Sequence, residues 1–158
     1  EILMDLVYVG NGQGIYHCLN EEDVKRIMSH PNVMHASDGS TIEFGKAQPH
    51  PRSYGTYPRI LGRYVRQANL IPLTESIRKM TSLPASVLGL HDRGMIKNNF
   101  WADLVIFDPN KIIDNATWEN PHQFPSGISW VLVNGKIVIE KGEKSGKLTG
   151  KVLKHSRM

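Results

Sequence analysis

Asp38 is the residue whose type and setting most suit it to chemistry. It lies in Ser37-Asp38-Gly39, at the end of the short stretch Asn32 to Ser37. A carboxylate at the C-terminal end of a strand is where barrel enzymes keep their acids and bases. Ser-Asp-Gly is also ordinary turn chemistry, with the aspartate bonding to its own backbone, and the local sequence leaves both roles open. Further on, His50-Pro51-Arg52 follows a stretch broken by Gly45 and Pro49. The planar guanidinium of Arg52 could grip a carboxylate through two donors at once; a plain surface arginine is the alternative. Other candidates are weaker. Strand alternation groups Met34 and Ala36 with Asp38, and Val33, His35 and Ser37 on the opposite side, so His35 reads as a packed histidine and not a ligand. His17 and Cys18 fall on opposite faces of their strand and cannot clasp one ion together. Zinc spacing is missing: there is no His-x-His, no His-Glu-x-x-His and no cysteine pair. A Gly-x-Ser-x-Gly elbow is missing too, and Gly10-Asn11-Gly12-Gln13-Gly14 lacks the lysine and helix start of a phosphate loop.

The elements that must position these residues follow from periodicity. Ile2 to Val7 reads as a helix end and Ile15 to Cys18 as a strand. Asn20 caps a helix whose first turn holds Glu21, Glu22 and Asp23, and Pro31 ends it. Asn32 to Ser37 is a second strand, which completes a βαβ unit with a parallel pair. Thr41 to Tyr57 is an irregular loop, long enough to expect a function. Helices over Tyr57 to Ala68 and Pro72 to Met80 follow, the second with Leu73, Ile77 and Met80 as its apolar face. Arg59, Arg63 and Arg66 read as the solvated face of the first. Pro84 opens a short helix that Gly89 terminates. Beyond Gly94 the pattern turns to β: Ala102 to Phe107, then Ile128 to Val133 and Lys136 to Glu140 about an Asn134-Gly135 hairpin turn, with a last strand at Leu148 to Leu153. Trp101, Trp118 and Trp130 read as packing residues.

Composition bounds the class. The 158 residues are enough for one domain, and 40% hydrophobic with 22% charged residues is a globular balance. A net charge of +4, drawn partly from the tail, gives little support for a nucleic-acid partner. No apolar run is long enough to span a membrane. Cys18 is the only cysteine, which excludes an internal disulfide framework and suits the cytoplasm. Glu1-Ile2-Leu3-Met4 has neither an initiator methionine nor a signal-peptide pattern, so the chain is expected to start within a longer protein. These features alone describe part of an α/β protein with a β appendage.

Several stretches together resemble one family. Ser37-Asp38-Gly39, HPRSYGTYPRILGRYV (residues 50–65), RKMTSLPASVLGLHDRG (78–94), ADLVIFDP (102–109) and VLVNGKIV (131–138) look like the C-terminal third of D-aminoacylases, or N-acyl-D-amino-acid deacylases, of the amidohydrolase superfamily. The likeness runs through nearly the whole chain. ADLVIFDP and the VNG turn are general to the superfamily, whereas the HPR stretch is specific to this branch. The resemblance implies an α/β fold: residues 1–93, with the substrate loop 39–57, would close a TIM-type (β/α) barrel, and residues 94–158 would form the C-terminal share of a small β-sandwich. It implies hydrolysis of the amide bond of N-acyl-D-amino acids. Zinc would activate the water, and Asp38 would carry the water's proton to the leaving amine and be a possible metal ligand. Arg52, with His50, would hold the substrate's carboxylate. The remaining metal ligands would belong to an N-terminal barrel portion of the same enzyme, so the chain alone is expected to be inactive and to bind zinc weakly. The superfamily usually has glycine where this chain has Asn99, and asparagine is expected to keep the left-handed turn. A dihydroorotase- or hydantoinase-like amidase, or a non-catalytic binding or assembly module that keeps the fold, are the alternatives.

Overall fold

The computed structural model describes residues 4, 5, 8 and 18–153. The readings at Ile15 to His17 and at Gly10 to Gly14 lie outside them, as does most of the Ile2 to Val7 helix. Cys18 is exposed and in no strand.

Helix α1 spans Glu21–Ser29. Its cap is as the sequence predicts: the Asn20 side-chain oxygen accepts the N–H groups of Glu22 at 2.8 Å and Asp23 at 3.4 Å, and the acidic first turn faces the positive end of the dipole. Asn32 to Ser37, however, is not a strand. A strand needs a ladder partner for its backbone groups; here His35 donates its N–H to Lys79 on a helix, at 3.1 Å. Among the described residues there is therefore no parallel pair. Burial still alternates with period two: Val33, His35 and Ser37 turn inward while Met34, Ala36 and Asp38 are exposed.

Helix α2, Arg52–Arg59, begins earlier than expected and runs through Pro58 into a π-helical turn set, Ile60–Gln67. Pro58 brings no N–H to the ladder, and the widened turns follow it, with Ala68 N–H reaching back to Arg63 at 2.8 Å. Ile60 and Tyr64 join Met28 and Ile71 in the core between these helices. Helix α3 spans Leu73–Met80; of its expected apolar face Met80 packs on the core and Ile77 is half-buried, but Leu73 is exposed, and its most buried residues are Ser76 and Lys79. Helix α4, Ser82–Val87, ends as predicted at Gly89, whose φ is 69°. Leu90 N–H bonds to Ala85 and Gly89 N–H to Ser86, the pair of contacts that closes a helix through a left-handed glycine.

The rest is an antiparallel sheet in the order β1 (Leu104–Phe107), β2 (Ile128–Val133), β3 (Lys136–Glu140), β4 (Glu143–Lys144). Asn134 (φ 51°) and Gly135 (φ 77°) make the predicted hairpin turn. Asn99 has φ 67°, so asparagine does keep the left-handed turn. The last strand is two residues at Glu143–Lys144, not Leu148 to Leu153, whose residues carry no strand. No helix among the described residues is long and apolar enough to cross a membrane.

Candidate active site

Gly39 explains how Asp38 reaches its partner. A Cβ on Gly39 would lie 2.9 Å from Ser53 Cα, so only glycine lets this turn rest against the start of α2. Ser40 N–H then donates to Ser53 Oγ at 3.2 Å, and Gly39 N–H to Ser37 Oγ at 3.3 Å. Asp38 itself takes φ 47°, a left-handed conformation that aspartate tolerates better than most residues. The result aims its carboxylate at Arg52: Nη2 to Oδ2 is 2.9 Å. Asp38 is 86% exposed and Arg52 43%, so the pair stands at the surface with room for a ligand. His50 adjoins it. The Arg52 backbone N–H donates to His50 Nδ1 at 3.0 Å, and the His50 ring meets Trp118 edge-on at 4.4 Å between centroids. All three candidate residues from the sequence thus come together, with Arg52 on the first turn of a helix and not within a loop.

Beside the pair opens a cavity of about 440 Å³, lined by His50, Arg52, Arg59, Arg63, Asp114 and Trp118 among others. Its floor adds to one expectation. Arg59 and Arg63 do stand half in solvent, at 44% and 48% exposed, but each also bonds one oxygen of Asp114 at 3.1 Å, and the Asp114 side chain is only 4% exposed. Burial works against the Arg59 charge, but the hydrogen bond and charge of Asp114 outweigh it and raise its pKa. Arg66 donates to the Ile112 carbonyl at 2.6 Å. On the same helical face, a Cβ at Gly55 would lie 2.7 Å from Asp114 Cβ, and one at Gly62 would lie 2.6 Å from the Ile112 carbonyl. The glycines and arginines of GTYPRILGR therefore form one docking strip for residues 112–114. Asp114 went unnoticed in the sequence; the arginines spaced one helical turn apart are the signal that could have prompted a search for a buried acid.

His35 packs inward as predicted, and burial, with the charge of Lys79 next, holds its pKa below the ordinary imidazole value. Lys79, also missed, is fully buried and donates to the carbonyls of Met28 at 2.5 Å and His30 at 2.6 Å. Burial lowers its pKa as well.

Among the described residues, no three His, Cys, Asp or Glu side chains converge to hold a metal ion. Asp38 offers one carboxylate, whereas catalytic zinc takes about three protein ligands. These residues by themselves do not fit a zinc ion.

A helical layer, a small antiparallel sheet and an exposed Asp–Arg pair at a cavity are joined here by one sequence pattern. The family model described as "Amidohydrolase family" matches residues 2–139, and the chain belongs to that family. Its relatives narrow the branch. The chain is 44% identical over 140 residues to an N-acyl-D-glutamate deacylase of Alcaligenes xylosoxydans xylosoxydans, covering 89% of this chain and 28% of that protein. It is 42% identical over 139 residues to a D-aminoacylase of the same organism, covering 88% and 28%. Among solved structures, it resembles the N-acyl-D-glutamate deacylase of Bordetella bronchiseptica complexed with zinc and a phosphonate mimic of the tetrahedral intermediate (47% identity, TM-score 0.71, 76% of this chain and 25% of that one). It also resembles a D-aminoacylase variant in complex with copper chloride (41% identity, TM-score 0.81, 87% and 28%). The chain spans 28% of the length of these curated relatives.

Proposed function

We propose that this chain is the C-terminal part of an amidohydrolase that cleaves the amide bond of N-acyl-D-amino acids, with Asp38 as its proton-transfer group and Arg52, assisted by His50, as its carboxylate site. The observation that carries this reading is the 2.9 Å pair of Asp38 and Arg52 beside an open cavity, in a chain similar to deacylases of N-acyl-D-amino acids. Amide hydrolysis needs a base that takes a proton from water and returns it to the departing amine. Asp38, exposed and reached through a close-packed glycine turn, suits that task. Arg52 uses one nitrogen on Asp38, and the guanidinium has further N–H donors for a substrate carboxylate.

The larger fold belongs to the same proposal. Residues 1–93 would close a TIM-type barrel and 94–158 would contribute to a β-sandwich, with the metal ligands and the N-terminal barrel portion lying outside the described residues. One feature supports it: large apolar residues stand in solvent on both halves, among them Met34, Val105 and Ile106. The isolated chain would then be inactive. A single free cysteine, Cys18, suits a cytoplasmic setting.

The test is hydrolysis of N-acetyl-D-glutamate, N-acetyl-L-glutamate and a cyclic ureide by the intact enzyme and by its Asp38→Asn variant. Turnover of the D-amide alone, lost in the variant, is the expected result. Preference for the cyclic ureide, or full activity in Asp38→Asn, would refute the reading.

A further inference from the structure

The segment 41–51 has little regular structure, yet where it runs determines where His50 and Arg52 stand. One side chain from the far part of the chain meets its backbone. His122 Nε2 lies 3.1 Å from the Lys46 carbonyl and 3.2 Å from that of Ala47. Carbonyls only accept, so Nε2 carries the ring proton, and Nδ1 is the acceptor. Nδ1 takes the Tyr54 hydroxyl at 2.8 Å and the Gly45 N–H at 3.3 Å. A neutral imidazole thus joins three successive loop residues to the first turn of α2. Ala47 adds a second observation. Its φ is 53°, costly for a residue with a Cβ and kept only where the surroundings impose it. Its carbonyl is one of those that His122 holds. Around the ring, Phe44 stacks on Phe124 at 5.1 Å, and Gln48 donates to the Trp118 carbonyl at 2.8 Å.

We propose that His122 is a positioning residue for substrate recognition: it clasps the loop so that His50 and Arg52 are set before substrate arrives. The inference rests on the reading of Arg52 as the carboxylate site. A clasped loop loses little freedom on binding, whereas a loose one must be ordered at that moment, which weakens affinity. Asp38 has an anchor of its own, Gly39 against Ser53, besides its pair with Arg52. Release of the clasp therefore acts mainly on KM.

The intact enzyme distinguishes the outcomes. His122→Phe keeps a ring in the aromatic cluster and removes all the hydrogen bonds. His122→Asn keeps an acceptor for Gly45 and Tyr54, and Tyr54→Phe removes one hydroxyl. Hydrogen–deuterium exchange at Gly45, with KM and kcat for N-acetyl-D-glutamate, would be measured in each. In His122→Phe, exchange at Gly45 should quicken by about tenfold, the scale of one lost hydrogen bond. KM should rise by about tenfold with kcat within about twofold, and His122→Asn should recover part of both. Unchanged exchange overturns the clasp; faster exchange with an unmoved KM overturns the positioning role, as does a fall in kcat with KM fixed. Should His122→Phe not fold, Tyr54→Phe carries the same measurements at smaller amplitude. The reading of Arg52 fails by a different sign, an Arg52→Ala variant with unaltered KM or an enzyme without turnover on this substrate, while exchange at Gly45 still decides the clasp.

Discussion

Arg52 and Asp38 touch, so their roles in the proposed reaction are coupled. Arg52→Ala should raise KM for N-acyl-D-amino acids, and Arg52→Lys should already impair it, because lysine replaces a planar fork with a point charge. A lost charge-assisted contact costs about 1.5–3 kcal/mol, or roughly ten- to a hundred-fold in kcat/KM. An N-acyl amine without the carboxylate should be a poor substrate and nearly indifferent to the change; equal slowing of both substrates would mean that Arg52 supports the helix start instead. Asp38→Asn should lower kcat by roughly 100- to 10,000-fold. It should also shift KM, since Asp38 orients the Arg52 fork at 2.9 Å. The double variant should then fall short of the product of the single effects, which steady-state kinetics of the four proteins would check.

At the scale of elements, α2 and its π-helical continuation dock on residues 112–114 through a strip of glycines flanked by arginines. Gly62→Ala would place Cβ 2.6 Å from a backbone carbonyl that cannot step aside, and should destabilise the protein by about 1–3 kcal/mol in denaturant titration. Gly150→Ala, with nothing within 4 Å, is the neutral control. Helix α3 makes the same point with charge. Lys79→Met would strip the donors from the Met28 and His30 carbonyls at the end of α1, at a cost of roughly 2–4 kcal/mol. A variant as stable as the parent would show that those carbonyls find other donors. The glycines of the HPR stretch were legible in the sequence as motif members. Their purpose was not, because the atoms they make room for lie on a distant segment: the arginine–Asp114 contacts span 55 and 51 residues.

For the molecule as a whole, acid should unfold it partly through His35. Burial depresses the folded pKa of His35 below its ordinary 6.5. As pH falls through about 6.5 the unfolded chain takes up this proton first, so stability declines from there downward until the folded form titrates too. His35→Met should flatten that part of a stability–pH curve relative to the parent; parallel curves would remove His35 from the account. Metal analysis after dialysis gives a second check at this scale. With one carboxylate at the site and no converging ligand set among the described residues, the chain alone should retain well under one equivalent of zinc. A stoichiometric ion held by its own side chains would contradict the division of ligands proposed above.

What could be read locally was read from the sequence alone: the Asn20 cap, the Gly89 helix stop, the left-handed Asn99 and the Asn134-Gly135 hairpin are each decided by a few adjacent residues. The family motifs likewise pointed to Asp38, His50 and Arg52, and the structure brings these together. The alternation from Val33 to Asp38 was legible, but the strand was not realised, because a strand exists only where another chain segment completes its ladder. Tertiary contacts alone decided the rest. Lys79 faces inward beside the expected apolar Ile77 and Met80, since the carbonyls at the end of α1 take their donor there. Asp114 and His122 acquire their partners across 55 and 68 residues, a distance over which no local pattern in the chain specifies which groups will meet.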